Sequence, residues 1–409
     1  MRLVAGEHPC DKELSREVLA ILQDEFKLEG AREVESHSKN PKGYDYASPH
    51  QKPLVIGRFG NTEARVDAGI TTLSEIIGKE AVYFITHPYN HKSGVDVATT
   101  VMHARLFGEV LKQEGSAIKM LSLVVPVGAY GLNHSARRHA ATGFIEGPAL
   151  KMYIDDLARA GYNQIITIGS HSNAPEVEAN AHNMHFWDID PFRPESKVSS
   201  PRMGPFLFTD ENTVLRDDYK AQIAKLTPFV TYLIQEFGEQ KDDLCFVATD
   251  DGSQDTMGDI AYAVRGDMLK VLAFLKTRNG PGQNKLGGIK EISTVKLDRL
   301  EGKICIMADD RRLSGNTLNK VAAELKGKYK ASKVVALVAH DISYDTSITE
   351  HTSVDRFVFL ETNPDSAIAR IDDPRIVRLP QATTALLLAG SMYHTYCTMR
   401  DLREMEKVR

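Results

Sequence analysis

Short runs of apolar, mostly β-branched residues alternate with amphipathic segments along most of the chain. The runs predict strands at 81–86, 120–125, 164–168, 245–249, 271–275, 304–308, 334–339 and 356–360. The amphipathic segments predict helices at 97–113, 149–159, 218–237 and 317–328. Continuous apolar strands separated by helices are typical of parallel sheets covered on both faces. The pattern therefore predicts an α/β fold, with mainly parallel sheets flanked by helices.

The predicted strands fall into two clusters. They are separated by an irregular, proline-rich segment at 191–216, and a second irregular segment at 36–53 is polar and predicts a surface insertion. A chain of 409 residues has room for two large domains. We expect one domain over 1–205 and a second over 206–409 that includes a C-terminal helix.

Composition excludes several classes of protein. Fifty basic and 55 acidic residues give a net charge of −5, which disfavours a nucleic-acid partner. The four cysteines form no C-x-x-C pair, so neither a disulfide framework nor a zinc cage is expected. The longest apolar stretch near the C-terminus, 385–390, is too short to cross a bilayer, and the N-terminal residues lack the pattern of a signal peptide. We expect a cytoplasmic protein without a membrane partner.

The segment at 303–318, KICIMADDRRLSGNTL, carries the strongest local chemical signal. An apolar strand ends in Asp309 and Asp310, and a short loop of small residues then opens a helix. Two carboxylates at a strand end can bind a ribose diol, and a loop at a helix N-terminus offers backbone N–H groups to a phosphate. The loop residues are Ser314, Gly315, Asn316 and Thr317. The alternative is an acidic strand end followed by an ordinary capped helix.

This segment resembles the phosphoribosyl pyrophosphate (PRPP) loop of type I phosphoribosyltransferases and of PRPP synthetases. The rest of the chain is similar to the synthetases, whose motifs it matches in order from residue 1 to about 395. The matching segments are MRLVAGEHPCDKELSREVLAIL at the start, IGRFGNTEARV with Phe59, Asn61 and Glu63, TIGSHS with His171, VATDDGSQD with Asp250, AFLKTRN with Lys276 and Arg278, and ETNP at 361–364.

The resemblance implies two phosphoribosyltransferase-like domains with an active site between them. It also implies a homo-oligomer, either a dimer or a multiple of dimers. It implies transfer of the diphosphate of Mg-ATP to the 1-hydroxyl of ribose 5-phosphate, with release of AMP. Each matched residue then has a role. Lys276 and Arg278 would be catalytic, at the root of a lid, and His171 and Asp250 would position Mg²⁺. Phe59, Asn61 and Glu63 would bind ATP. Asp309 and Asp310 would bind the ribose, and residues 314–317 would bind its phosphate.

The chain departs from the family at two segments that touch substrate. The ATP-contacting arginine of the family aligns near Leu132, so Arg137 and Arg138 are the local cations that can replace it. Arg311 and Arg312 stand where the family is usually apolar. They either bind additional phosphate or are solvated surface charges.

These changes, and the added sequence at the domain junction, suggest an acceptor larger than ribose 5-phosphate. ADP-ribose fits, since it keeps the free anomeric hydroxyl, and relatives acting on ADP-ribose occur in phage NAD⁺-restoring systems. Two other interpretations stay open. One is a catalytically silent homologue that regulates an active partner, and the other is a phosphoribosyltransferase that consumes PRPP.

Overall fold

The computed structural model describes most of the chain. It leaves out residues 39–53, 59–62, 86–96, 114–117, 130–136, 139–144, 147, 171, 193–227, 250–252, 266–270, 279–285, 292–299, 313–314, 344–351, 364–365, 367–370 and 409. Side chains are not described at residues 71, 137–138, 145–146, 273–278, 286–291, 394 and 397–408.

Nine helices occur in the described part of the chain. They are α1 (Pro9–Asp24), α2 (Ile70–Ile76), α3 (Val97–Gln113), α4 (Ala149–Arg159), α5 (Ala174–Ala181), α6 (Pro228–Phe237), α7 (Gln254–Arg265), α8 (Asn316–Gly327) and α9 (Gln381–Val408). A 3₁₀ segment at Gly238–Asp243 follows α6.

The N-terminal half is built on a six-stranded sheet in which every pairing is parallel. In spatial order its strands are β11 (His185–Ile189), β10 (Gln164–Ile168), β7 (Met120–Val124), β6 (Glu80–Phe84), β1 (Arg2–Ala5) and β2 (Arg32–Glu33). The central strands β7 and β10 are buried at every position. This is why they read as continuous apolar runs instead of alternating patterns.

The C-terminal half is built on a seven-stranded sheet. In spatial order its strands are β14 (Leu286–Glu291), β13 (Leu272–Arg278), β12 (Leu244–Ala248), β15 (Ile304–Arg312), β16 (Lys333–Asp341), β17 (Arg356–Leu360) and β18 (Ile376–Leu379). Only the β13–β14 pair is antiparallel among its described pairings.

Two smaller sheets complete the strands. One contains β3 (Ser36–His37), β4 (Leu54–Arg58) and β5 (Ala64–Asp67), and the other pairs β8 (Arg137–Arg138) with β9 (Ile145–Glu146). The strands β4 and β5 form an antiparallel hairpin whose connecting residues include the predicted ATP segment.

One hydrophobic core joins the two large sheets. It contains Val124 and Ile168 of the first sheet together with Phe246 and Leu337 of the second. The C-terminal helix α9 packs against α1, and its Tyr393 stacks on Phe26, just after α1, with ring centroids 4.8 Å apart. The two halves are therefore held in one arrangement by shared apolar burial.

The α/β fold with mainly parallel sheets, predicted from the sequence, is confirmed. The helices at 97–113 and 149–159 and the strands at 164–168 and 356–360 have the predicted bounds. The strand predicted at 304–308 runs on to Arg312, because its ladder with β16 continues through the pairs Arg311–His340 and Arg312–Asp341. Within the described residues, no helix has the length and apolarity needed to cross a bilayer.

Candidate active site

A cavity of about 250 Å³ lies between the two large sheets. The N-terminal half lines it with Gly169, Ser170, Asp188, Asp190 and Phe192, and the C-terminal half with Thr249, Ser253, Thr256, Ala308, Asp309 and Asp310. Most of these residues lie at or just beyond the carboxyl ends of β10, β11, β12 and β15. Open α/β sheets bind their ligands at this edge.

Asp309 and Asp310 are the sequence-predicted residues that the structure places in this cavity. They lie near the end of β15, just before the chain turns into α8. Gly315 is the N-cap of α8 and has φ = 68°, in the left-handed region that glycine adopts without steric cost. The predicted residues Asn316 and Thr317 form the first turn of α8, and Ser314 lies outside the described residues.

Arg312 is buried beneath this turn. Its Nη1 atom donates to Asp341 Oδ1 at 3.1 Å and to Ser343 Oγ at 3.0 Å, and the side chain is 0% exposed. A Cβ atom added at Gly315 would lie 3.1 Å from Arg312 Nε. Arg312 therefore fixes the root of the loop between β15 and α8.

Arg311 is buried as well, with a side chain that is 5% exposed. Its Nε atom lies 4.0 Å from Asp310 Oδ2, an ion contact beyond hydrogen-bond distance. The alternative that Arg311 and Arg312 are solvated surface charges is thus wrong for both residues. The sequence did not indicate that these two arginines are buried, because arginines that follow an apolar strand usually mark its exposed end.

Asp188 is a cavity residue that the sequence reasoning missed. Burial raises the pKa of Asp188 to about 7, and this rise outweighs the hydrogen bond that its carboxylate accepts from Ser170 N at 2.9 Å. Asp190 raises the pKa further, whereas Arg311 lowers it. The signal was present in HFWDIDPF, where two acids flank the end of an apolar strand just as Asp309 and Asp310 do.

His340 joins the two sheets next to this cavity. The ring is fully buried, with Nε2 2.6 Å from Ile168 O and Nδ1 2.7 Å from Thr362 Oγ1. Because a carbonyl oxygen only accepts, Nε2 carries the proton and Nδ1 accepts from the hydroxyl. Burial, with a smaller contribution from Arg311, lowers the pKa of His340 to about 4, so the ring is neutral.

The predicted catalytic pair Lys276 and Arg278 lies on β13, two strands from β15 in the sheet. The ladder with β14 shifts register between them, so the strand has an irregularity at this pair. Only their backbone is described. His171 and Asp250, the predicted metal residues, lie outside the described residues.

The predicted ATP segment lies on the β4–β5 hairpin. Phe59 and Asn61 are outside the described residues, and Glu63 is exposed just before β5. Buried His103 stabilises the hairpin, because its Nε2 donates a hydrogen bond to Gly57 O at 2.6 Å. Arg137 and Arg138 form β8, with only their backbone described.

Among the described His, Cys, Asp and Glu side chains, no three converge closely enough to hold a metal ion by themselves. The cavity nevertheless has four carboxylates on its walls, from Asp188, Asp190, Asp309 and Asp310. Carboxylate oxygens suit Mg²⁺, which commonly uses one or two of them and completes its shell with waters and substrate phosphates. The donor set therefore fits a magnesium ion that binds together with a phosphorylated substrate.

No family model matches this sequence, and no curated protein matches it. Among solved structures, the chain resembles a phosphoribosylpyrophosphate synthetase from Mycobacterium smegmatis. The TM-score is 0.61 at 15% identity, covering 97% of this chain and 99% of the other. The chain has a fold similar to that of PRPP synthetase.

A hypoxanthine phosphoribosyltransferase from Staphylococcus aureus matches a smaller part, 37% of this chain and 73% of its own, with 14% identity and a TM-score of 0.23. A TM-score of 0.23 is too low to support a conclusion about the fold. The likeness to the synthetase covers 97% of this chain and therefore includes both large sheets.

Proposed function

We propose that this protein is a Mg²⁺-dependent diphosphokinase. It would transfer the β,γ-diphosphate of ATP to the anomeric 1-hydroxyl of ribose 5-phosphate, or of a ribose-5-phosphate nucleotide such as ADP-ribose. The observation that supports this most is the pair Asp309 and Asp310, which faces a cavity between two parallel sheets and directly precedes the α8 turn. The synthetase-like fold is compatible with the same chemistry.

The C-terminal sheet would bind the acceptor. Asp309 and Asp310 would accept hydrogen bonds from the 2- and 3-hydroxyls of the ribose. The loop at 314–317 would bind the 5-phosphate through backbone N–H groups at the start of α8, where the helix dipole also favours an anion. Gly315 would keep this turn open, since its positive φ disfavours other residues.

ATP would bind from the N-terminal side and from the neighbouring subunit of a homo-oligomer, a dimer or a multiple of dimers. Phe59, Asn61 and Glu63 would contact the adenine, and Arg137 and Arg138 would contact the phosphates. Mg²⁺ positioned by His171 and Asp250 would, when bound, neutralise phosphate charge. The wall carboxylates described above would share this role.

In the reaction, the 1-hydroxyl oxygen attacks the β-phosphorus, and the bond from that phosphorus to the α,β-bridging oxygen breaks. AMP leaves with the bridging oxygen. Catalysis of this kind depends mainly on positioning and on neutralising charge. Lys276 and Arg278 would supply positive charge next to the transferred group, at the root of the predicted lid at 279–288, of which residues 286–288 form the start of β14.

A second candidate is a catalytically silent homologue that regulates an active partner. The altered 126–138 segment favours it, because Leu132 stands where PRPP synthetases have an ATP-contacting arginine. An assay of AMP release distinguishes the two candidates. Only an active diphosphokinase releases AMP from ATP in proportion to the acceptor consumed.

The deciding experiment is an incubation with Mg-ATP and either ribose 5-phosphate or ADP-ribose, with products identified by mass spectrometry. A diphosphorylated acceptor and equimolar AMP are expected, and the accepted sugar phosphate identifies the substrate. Lys276→Ala should abolish turnover. No AMP with either acceptor would favour the silent homologue, and turnover of Lys276→Ala within a few-fold of wild type would show that the catalytic assignment is wrong.

A further inference from the structure

Arg311 combines deep burial with unused hydrogen-bond donors. Its side chain is 5% exposed, yet no described residue accepts a hydrogen bond from Nε or Nη1. A guanidinium has five N–H donors, and a buried charge without partners is costly. Such donors are available to an acceptor that enters the site, a water molecule or an anionic ligand.

The next residue in β15, Arg312, makes its side-chain hydrogen bonds within the protein. Arg312 is hydrogen-bonded to Asp341 and Ser343 on the adjoining part of the sheet. Arg311 is in register with neutral His340, and its ion contact among the described side chains is with Asp310 at 4.0 Å. The difference between the two buried residues is that Nη1 of Arg312 has a carboxylate and a hydroxyl as acceptors, whereas no described residue accepts from Nη1 of Arg311.

The guanidinium of Arg311 lies at the junction of the two sheets. Its Nη2 atom is 3.9 Å from the position that a Cβ on Gly128 would occupy, in the segment that follows β7. On its other side are cavity carboxylates, Asp310 in ion contact and Asp188 close enough to interact electrostatically. The free donors thus adjoin the cavity at the place where the N-terminal half approaches it.

We propose that Arg311 is an anion-binding residue of this cavity, which holds a phosphate group of a substrate between the two sheets. A planar guanidinium suits a phosphate because two parallel N–H groups can donate to two of its oxygens. The cavity walls carry acidic side chains, so a phosphate entering here needs a nearby cation. A Cβ on Gly128 would itself be in ordinary contact with Nη2, so a branched side chain there would crowd the guanidinium.

This inference rests on the proposed function in one respect, namely that the substrates carry phosphates. The phosphate can come from ATP or from the sugar-phosphate acceptor. Binding measurements separate these sources, and they need no turnover. Failure of the diphosphokinase reaction would therefore be seen in the activity assay, independently of the result for Arg311.

The test is isothermal titration calorimetry on the full chain with Mg²⁺, comparing wild type with Arg311→Gln. The probes are α,β-methylene-ATP, ribose 5-phosphate, ADP-ribose and phosphate-free adenosine. We expect at least one phosphorylated probe to bind about tenfold or more weakly to the variant, with adenosine unchanged. A loss limited to the ATP analogue assigns the donor phosphates, and a loss limited to a sugar phosphate assigns the acceptor.

Two further variants keep the result interpretable. Gly128→Val should weaken the same probe by crowding the guanidinium, whereas exposed Arg16→Gln controls for loss of one positive charge and should bind like wild type. Thermal melting without ligand should show that Arg311→Gln stays folded, because Nε and Nη1 give up no hydrogen bond to a described residue. A folded Arg311→Gln that binds every phosphorylated probe as wild type does would overturn the proposal.

Discussion

Arg312 and Asp341 form a buried ion pair, Nη1 to Oδ1 at 3.1 Å, between the last residues of two neighbouring parallel strands. Ser343 adds to the pair by donating its hydroxyl to Asp341 Oδ1 at 2.7 Å. The group lies directly under the Gly315 turn. Buried polar residues therefore fix the start of α8, where the proposed function places a phosphate.

Breaking this pair should destabilise the protein. Arg312→Met leaves the Asp341 carboxylate buried without its partner, which we expect to cost about 3–5 kcal/mol of unfolding free energy. Urea denaturation measures the loss. Arg16→Met, at a side chain that is 61% exposed, is the control and should stay within about 0.5 kcal/mol. If the double variant Arg312→Met/Asp341→Leu were no more stable than Arg312→Met, the unpaired charge would not be the cause.

Gly315→Ala should cost more stability than a glycine replacement at an equivalent backbone conformation elsewhere. Gly302 has φ = 74° with no atom within 4 Å of an added Cβ, so Gly302→Ala measures the backbone cost alone, about 1–2 kcal/mol. At Gly315, with φ = 68°, the added Cβ also lies 3.1 Å from Arg312 Nε. Denaturant midpoints give the comparison, and equal losses would mean that Arg312 moves aside freely.

Asp188→Asn should change the pH dependence of stability. Burial raises the folded-state pKa of Asp188 to about 7 from a usual value of 3.8, so its favourable contribution is complete below pH 4 and is lost as pH rises to 7. We expect the variant to gain on the order of 2–4 kcal/mol relative to wild type between pH 4 and pH 8. Unfolding in Mg²⁺-free buffers at both pH values tests this, and a gain independent of pH would contradict it.

His340→Gln should show the opposite trend. The folded-state pKa of His340 is lowered to about 4 from 6.5, so its contribution is complete above pH 6.5 and is lost as pH falls toward 4. The stability deficit of the variant should therefore shrink by on the order of 2–3 kcal/mol between pH 7.5 and pH 4.5. A deficit that stays constant over this range would mean that the histidine is not kept neutral by folding.

Asp309→Asn and Asp310→Asn should lower activity without unfolding the protein. Each amide accepts hydrogen bonds from a ribose hydroxyl less strongly than a carboxylate does, so kcat/KM for the acceptor should fall by roughly 10- to 100-fold. AMP formation measures it. Asp242→Asn, at a side chain that is 86% exposed, is the matched control and should retain wild-type activity. Wild-type kinetics in both cavity variants would place the ribose elsewhere.

The hydrophobic pattern was sufficient to predict the fold class. Buried parallel strands such as β10 are apolar throughout and bounded by helix signals, so even their ends could be located. The extension of β15 through Arg312 was not predictable, because the residues that continue the ladder are charged and their partners in β16 lie 29 positions away along the chain.

The candidate site was predictable only where it is local in sequence. Asp309, Asp310 and the α8 turn follow one another and could be recognised together. Asp188 and His340 come into position through the packing of one sheet against the other, which no local pattern encodes. The burial of Arg311 has the same origin, since its surroundings come from both halves of the chain.

Trp187 is an intrinsic fluorescent probe next to the cavity. It is the single tryptophan among the 409 residues, it is buried, and it immediately precedes Asp188 in β11. Selectively excited tryptophan fluorescence of the unlabelled protein therefore originates from a core residue next to Asp188 of the candidate site. Stopped-flow mixing with a nucleotide or sugar phosphate can follow ligand arrival there in real time, with no dye attached and no second emitter to subtract.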